Sequence, residues 1–259
     1  MSRCGGFRVK IPERLAVALA VWLASAQLAA AEPKYGPEAV RLHDDRAYLQ
    51  RSAAPDFWAL MPYYLPQQTE SSCSVASVAM LLNALRAELP LAADDPLVTE
   101  TGLMKRAANA AWKKAAAQGG AGVSLDQLGR LIERSLTAYG LGAHEVEVVH
   151  VESTSDAMLA RLREVLAENE TSAGDFIVIN FIQSVFTGDP DGNVGHIAPL
   201  AAYDAERQRA LIFDPDRRWY EPYWVSDRTL LAGMATRDDQ APGKGAQRGY
   251  VRVRKAAAK

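Results

Sequence analysis

Apolar residues punctuate this chain with two different periods. From Cys73 to Leu89, Val75, Val78, Ala79, Leu82 and Leu85 recur at steps of three and four, which predicts a helix with a core-facing stripe and with Cys73 at its N-terminus. Residues 100–117 are Ala-rich and predict a second helix, and QGGAGV at 118–123 breaks the chain. Ser124 with Gln127 forms a capping-box pattern that opens a third helix over LDQLGRLIERSLTAYG. Beyond Gly142 the period drops to two: HEVEVVHV alternates as a strand, and a helix follows from about Ser155 to Ala167. DFIVINFI is a buried strand rich in β-branched residues, and TGDPDGNVG is a loop of turn formers. HIAPLAAY and ALIFD predict two strands joined by the charged turn DAERQR. Residues 32–60 mix Pro, Arg and Asp and predict loops and short helices wrapped over the domain. A helical N-terminal half followed by a mostly β C-terminal half reads as α+β.

Composition narrows the class. The chain has 259 residues, enough for one large domain or two small ones; 49% hydrophobic and 23% charged residues describe a soluble globular protein. A formal net charge of −2 without a basic stripe argues against nucleic-acid partners. At the start, Arg3, Arg8, Lys10 and Arg14 precede the apolar run LAVALAVWLASAQLAAA, where Ala29 and Ala31 satisfy the small-residue rule for cleavage. Residues 1–31 are therefore expected to be a secretory signal, with 32–259 as a periplasmic or secreted domain not stably associated with the membrane. An anchor retained uncleaved is the other reading. Only Cys4 and Cys73 occur, and Cys4 falls within the segment expected to be removed. A lone thiol in an oxidising compartment flags reactivity; the competing reading is a small buried residue without chemistry.

A helix N-terminus offers unsatisfied N–H groups and the positive end of the dipole, both of which favour an anion at Cys73. A nucleophilic thiolate also needs an imidazole, itself oriented by a third group. His43, His144, His150 and His196 are the candidates. His196 opens one strand and Asp214 closes the next, and position 205, midway between them, falls in the charged turn. The two side chains are expected to meet within a residue or two of register, although such a pair is as often a structural hydrogen bond. The other histidines read as a solvated turn (His43) and as strand ends (His144, His150). No zinc spacing, G-x-S-x-G or phosphate-loop pattern occurs, and Asp189, Asp191 and Asn193 make only a fragment of a calcium loop.

Taken together, Gln67, Cys73 with SVASVAMLLNAL, DFIVIN, and GHIAPLAAYDAERQRALIFDPDRRWYEPYWV resemble the catalytic half of phytochelatin synthases, in a short bacterial-type form. The resemblance covers roughly residues 55–236. It implies a papain-like cysteine peptidase fold in which Cys73, His196 and Asp214 form a triad and Gln67, six residues before the cysteine, stabilises an oxyanion. Arg217 and Tyr220 then correspond to substrate-binding positions, Arg217 holding a substrate carboxylate. Four positions depart from the family: Ser74 stands where glycine is usual, Ile197 and Ala198 vary the HFSP motif, and Trp219 replaces a lysine. The implied activity is removal of glycine from glutathione through a γ-glutamylcysteinyl thioester, passed to water or to a second glutathione. No resident cofactor is implied, a heavy-metal ion entering only as a thiolate complex of the substrate. Without the Cys-rich C-terminal half of the plant enzymes, hydrolysis is expected to dominate. The alternatives are another papain-like peptidase or amidase of the envelope, and a non-enzymatic binding protein for thiol peptides or their metal complexes.

Overall fold

A strand that is apolar at nearly every position has to be covered on both sides, and Asp175–Ile182 is. In the computed structural model, which describes residues 35–239 and 246–256, Phe176 and Val178 join one buried cluster while Ile177, Ile179 and Phe181 join another. The segment read as an export signal lies outside the described residues. Among the described residues, seven strands form one antiparallel sheet: β1 (Ala39–Arg41), β2 (His144–His150), β3 (Asp175–Ile182), β4 (Gly195–Asp204), β5 (Arg209–Ile212), β6 (Tyr223–Ser226) and β7 (Gly249–Lys255). Their order is β1-β6-β5-β4-β3-β7-β2.

Helices cover both faces, as α+β patterning requires. On the first face lie α1 (Ala47–Arg51), α2 (Pro55–Leu60), α3 (Cys73–Arg86), α4 (Glu100–Arg106), α5 (Ala110–Ala116) and α6 (Leu125–Ala138). On the second lie α7 (Asp156–Asn169), the short α8 (Gln183–Thr187) and α9 (Asp227–Met234). None of the described helices is long and apolar enough to cross a membrane.

The helix beginning at Cys73 is the centre of the first layer, since all fourteen of its residues are buried. Each fully buried Val or Leu in it contributes about 1.5–3 kcal/mol. Its polar residues are all used: Asn83 exchanges two hydrogen bonds with the backbone of Val98 (2.7 and 2.9 Å), Ser74 accepts the Trp112 indole N–H at 3.0 Å, and Ser77 donates to the Ile197 carbonyl of β4 at 3.1 Å. Ser74, where the resembling family has glycine, thus has a local reason: it satisfies a buried tryptophan.

Two elements differ from the sequence reading. The Ala-rich stretch is two helices, because the Asn109 side chain accepts the Trp112 N–H at 2.8 Å and caps a new start after α4 has ended. The basic tail contains an interior strand of the sheet. β7 enters between β3 and β2, with Val251 and Val253 in the first core and Tyr250 in the second. Arg252 is buried there against Asp175 (2.6 Å) and Glu168 (3.0 Å).

Trp112 ties α5 to the Cys73 helix and is 1% exposed. Trp112→Ala is expected to lower the unfolding free energy by about 3–5 kcal/mol, measured by chemical denaturation. A loss below about 1 kcal/mol would show that this contact does not hold the layer together.

Candidate active site

Cys73 begins α3 at the base of a cleft of about 740 Å³. The preceding residue, Ser72, makes no side-chain cap to the helix. It turns its hydroxyl back to accept the N–H groups of Gln68 and Thr69, each at 3.0 Å, so the helix start is left uncapped by it where the cleft opens. The loop carrying Gln67 is pinned at both ends: Gln67 N–H donates to the Pro215 carbonyl (2.8 Å), and the Tyr64 hydroxyl donates to the Asp214 carbonyl (2.6 Å). The Gln67 amide nitrogen makes one long bond, 3.4 Å to the Glu70 carbonyl, and its oxygen is buried without a partner. A stronger acceptor beside Cys73 can replace that long bond.

His196 arrives from β4, the strand against which α3 packs. The Ser77–Ile197 bond, one turn beyond Cys73 and one residue beyond His196, sets helix against strand. His196 Nε2 lies 2.7 Å from Asp214 Oδ1, and the Cys73 side chain is near enough to interact with the same imidazole. The hairpin register is not the simple one: Asp204 faces Arg209 and Tyr203 faces Ala210, a bulge follows between Leu200 and Ala202, and β5 ends at Ile212. Asp214 reaches His196 from the segment just past the strand.

Asp214 is fully buried, and four donors converge on it. His196 and the Asp216 N–H (2.8 Å) serve Oδ1; the Tyr223 hydroxyl (2.8 Å) and Gln183 amide (3.3 Å) serve Oδ2. Burial works against charge on either partner, and their mutual attraction outweighs it. Asp214 is held below the usual carboxylate range, and His196 is held protonated well above the usual histidine range, Cys73 adding to the Asp214 effect. Burial and the nearby Asp214 charge push the Tyr223 hydroxyl well above the usual tyrosine range, which keeps it a donor. Paired with that imidazolium, the cysteine acts as a nucleophile in its thiolate form, and the imidazolium can return its proton to a departing amine.

The cleft thus brings together Gln67, Cys73 and His196, with Asp214 buried behind the histidine. Tyr220 lines the wall, its hydroxyl donating to Asp189 at 2.6 Å. Arg217 is not brought into the cleft: it is exposed, and its guanidinium stacks over the Tyr64 ring at 4.6 Å. The guanidinium that does line the cleft belongs to Arg248, which the sequence reading missed. Its side chain is 5% exposed and packs where a Cβ on Gly195 would sit; it donates to the Arg237 carbonyl, lies 3.6 Å from Asp238, and has an unpartnered Nε. The R-G-Y run before the alternating VRVRK was the available signal. His43, His144 and His150 do not line the cleft; His150 instead bridges Asp126 (3.0 Å) and the Gln247 carbonyl. Asp189 spends its carboxylate on the Asp191 N–H and Tyr220, and no group of three potential ligands that could hold a metal ion occurs among the described residues.

Comparison with known proteins agrees on one family. The family model described as phytochelatin synthase matches residues 41–250. Glutathione gamma-glutamylcysteinyltransferase 1 of Arabidopsis thaliana is 26% identical over 221 residues, covering 79% of this chain and 38% of that protein. Glutathione gamma-glutamylcysteinyltransferase 3 of Lotus japonicus is 25% identical over 217 residues, covering 77% and 37%. The chain thus spans about two fifths of the length of these curated relatives.

Tyr223 touches neither Cys73 nor the cleft, so its effect on reactivity has to pass through Asp214. Tyr223→Phe removes a donor that shares the Asp214 charge and leaves more of that charge to the imidazolium. A proton bound above its unfolded value is lost as pH rises, so the alkaline limb of the kcat/KM profile is expected to move to higher pH in the variant. By the same linkage, His196 stabilises the fold at low pH and loses that contribution as pH rises through its raised folded value. An alkaline limb that stays in place would show Tyr223 to be structural only.

Proposed function

The chain belongs to the phytochelatin synthase family, and on that premise we propose that it transfers the γ-glutamylcysteinyl group of glutathione by way of a thioester on Cys73. The observation that carries this reading is the buried Cys73–His196–Asp214 line at the floor of a cleft large enough for a tripeptide. The nucleophile at a helix start, facing a histidine and aspartate carried by an antiparallel sheet, is the arrangement that a papain-like reading requires.

Chemistry follows from the charges. The Cys73 thiolate attacks the cysteinyl carbonyl carbon of glutathione, and the carbonyl oxygen becomes an oxyanion beside the uncapped start of α3 and the Gln67 amide. The C–N bond then breaks, and His196 gives its proton to the glycine nitrogen. The imidazole, now neutral, takes a proton from the attacking water or amine, and the thioester resolves. On the cleft lining, the Arg248 guanidinium, whose Nε has no partner among the described residues, suits a carboxylate of the substrate, and the exposed Asp239 suits its ammonium group. Water is the favoured acceptor. An amine outcompetes it only where a second peptide is held at high effective molarity.

With glutathione as sole substrate, γ-glutamylcysteine and glycine are expected to accumulate ahead of any longer oligomer, followed by chromatography with mass detection, and Cys73→Ala is expected to abolish both. If the oligomer of two γ-glutamylcysteine units were the main early product, transfer to a peptide rather than to water would be the activity. Absence of glycine release would instead favour a peptidase acting on other bonds.

Arg248→Lys keeps the charge and loses the fork, so KM for glutathione is expected to rise about tenfold or more. Arg217→Lys, at a position outside the cleft, is expected to change KM far less. The reverse ranking would return the carboxylate contact to Arg217.

A further inference from the structure

The loop from Gln67 to Ser72 has a partner for every backbone N–H. Gln67 donates to the Pro215 carbonyl, Ser72 to the Thr69 carbonyl, Ser71 to the Thr69 hydroxyl and Glu70 to the Gln118 side chain. Gln68 and Thr69 both donate to the Ser72 hydroxyl at 3.0 Å. The Gln68 N–H has a second acceptor at the same distance, Oε1 of Glu100 at the start of α4. Glu100 is 4% exposed and does not line the cleft. Burial pushes its carboxyl above the usual range, and the groups that act against burial are the Gln68 N–H and the Ser72 hydroxyl, with no cation paired to it among the described residues. Its own helix does not need the carboxylate as a cap, because Thr99 Oγ1 already accepts the Gly102 N–H at 3.0 Å.

Both groups held by Glu100 adjoin the place where a carbonyl oxygen gains charge. Gln68 follows Gln67, whose amide nitrogen makes one long bond to the Glu70 carbonyl. Ser72 precedes Cys73 at the capping position of α3, yet its hydroxyl makes no bond to that helix. A helix start left uncapped keeps N–H groups for an anion. We propose that Glu100 is a positioning residue for the oxyanion: by holding the Gln68 N–H and the Ser72 hydroxyl, it fixes the backbone that aims the Gln67 amide and keeps Ser72 off the start of α3. This rests on the reading that Cys73 takes up an acyl group. Glu100 itself makes no bond to substrate and exchanges no proton with it. Its effect falls where charge develops on the carbonyl oxygen, in the transition state, and therefore on kcat more than on KM.

Side-chain length and charge separate this role from simple support of α4. Glu100→Asp keeps an acid in the first turn, which the helix dipole favours, and withdraws the carboxylate from Gln68 by one methylene. Glu100→Gln gives up the charge and keeps an oxygen acceptor at the same reach. With glutathione and the full chain, kcat for glycine release is expected to fall about tenfold or more in Glu100→Asp and about threefold in Glu100→Gln, with KM within about twofold in both. Alkylation of Cys73 by iodoacetamide forms no oxyanion, so its rate is expected to stay within about twofold in both variants. In a Gln67→Ala background, Glu100→Asp is expected to cost less than about threefold more, because the contact it serves is already gone. A larger loss in Glu100→Gln than in Glu100→Asp assigns the carboxylate to the dipole of α4 and overturns the proposal. A full multiplicative loss in the Gln67→Ala background, or alkylation that falls in step with kcat, overturns it as well. If the unsubstituted chain forms no thioester on Cys73 with glutathione, read by intact-protein mass spectrometry, the transfer reading fails and the proposal with it.

Discussion

A carboxylate with no solvent exposure is the constraint on which this site depends. Asp214 is buried completely, and a buried charge is tolerated only when it is paired and its lone pairs are satisfied. Four donors from four places in the chain meet that demand: His196 at the start of β4, Asp216 in the following loop, Tyr223 on β6 and Gln183 after β3. Satisfying one carboxylate therefore fixes how β3, β4 and β6 end at the cleft. It also fixes the imidazole, because the oxygen that faces His196 has only one orientation left.

The nucleophile comes from a different layer, and the two halves are brought into register by short polar ties. Ser77 joins the Cys73 helix to the His196 strand, while Tyr64 and Gln67 are bonded to the carbonyls of Asp214 and Pro215. The loop before the cysteine and the loop after the aspartate thus move as one piece. Arg248 is added to this frame from the residue before β7, at the far end of the sequence, over a glycine that leaves room for its guanidinium.

The cleft is polarised around that frame. Its lining carries charges of both signs, Arg248 beside Gly195 and the carboxylates of Asp189, Asp191, Asp216 and Asp239, together with the exposed Val194 and Trp219.

Much of this was readable along the chain, and the reason is period and local chemistry. The three-and-four spacing after Cys73 specified a helix that starts at the thiol, Ser124 with Gln127 specified the capping box that opens α6, and the all-apolar DFIVINFI specified a strand buried on both faces. His196 and Asp214 could be paired because a hairpin turn relates positions by simple symmetry, with the bulge and the end of β5 absorbed within the reach of an aspartate. What the sequence could not determine are partners that no local rule connects. The VRVRK strand has the right alternation, but only the completed sheet inserts it between β3 and β2 and so carries Arg248 to the cleft. Asn109 could end one helix and start another only once Trp112 had a buried hydroxyl to meet. Arg217, which the motif placed near substrate, is turned onto Tyr64 by a ring supplied from more than a hundred residues earlier. Local propensity decides where elements begin and end; which side chains face one another across 50 to 150 residues is decided by packing, because the free energy of those contacts exists only after the layers have closed.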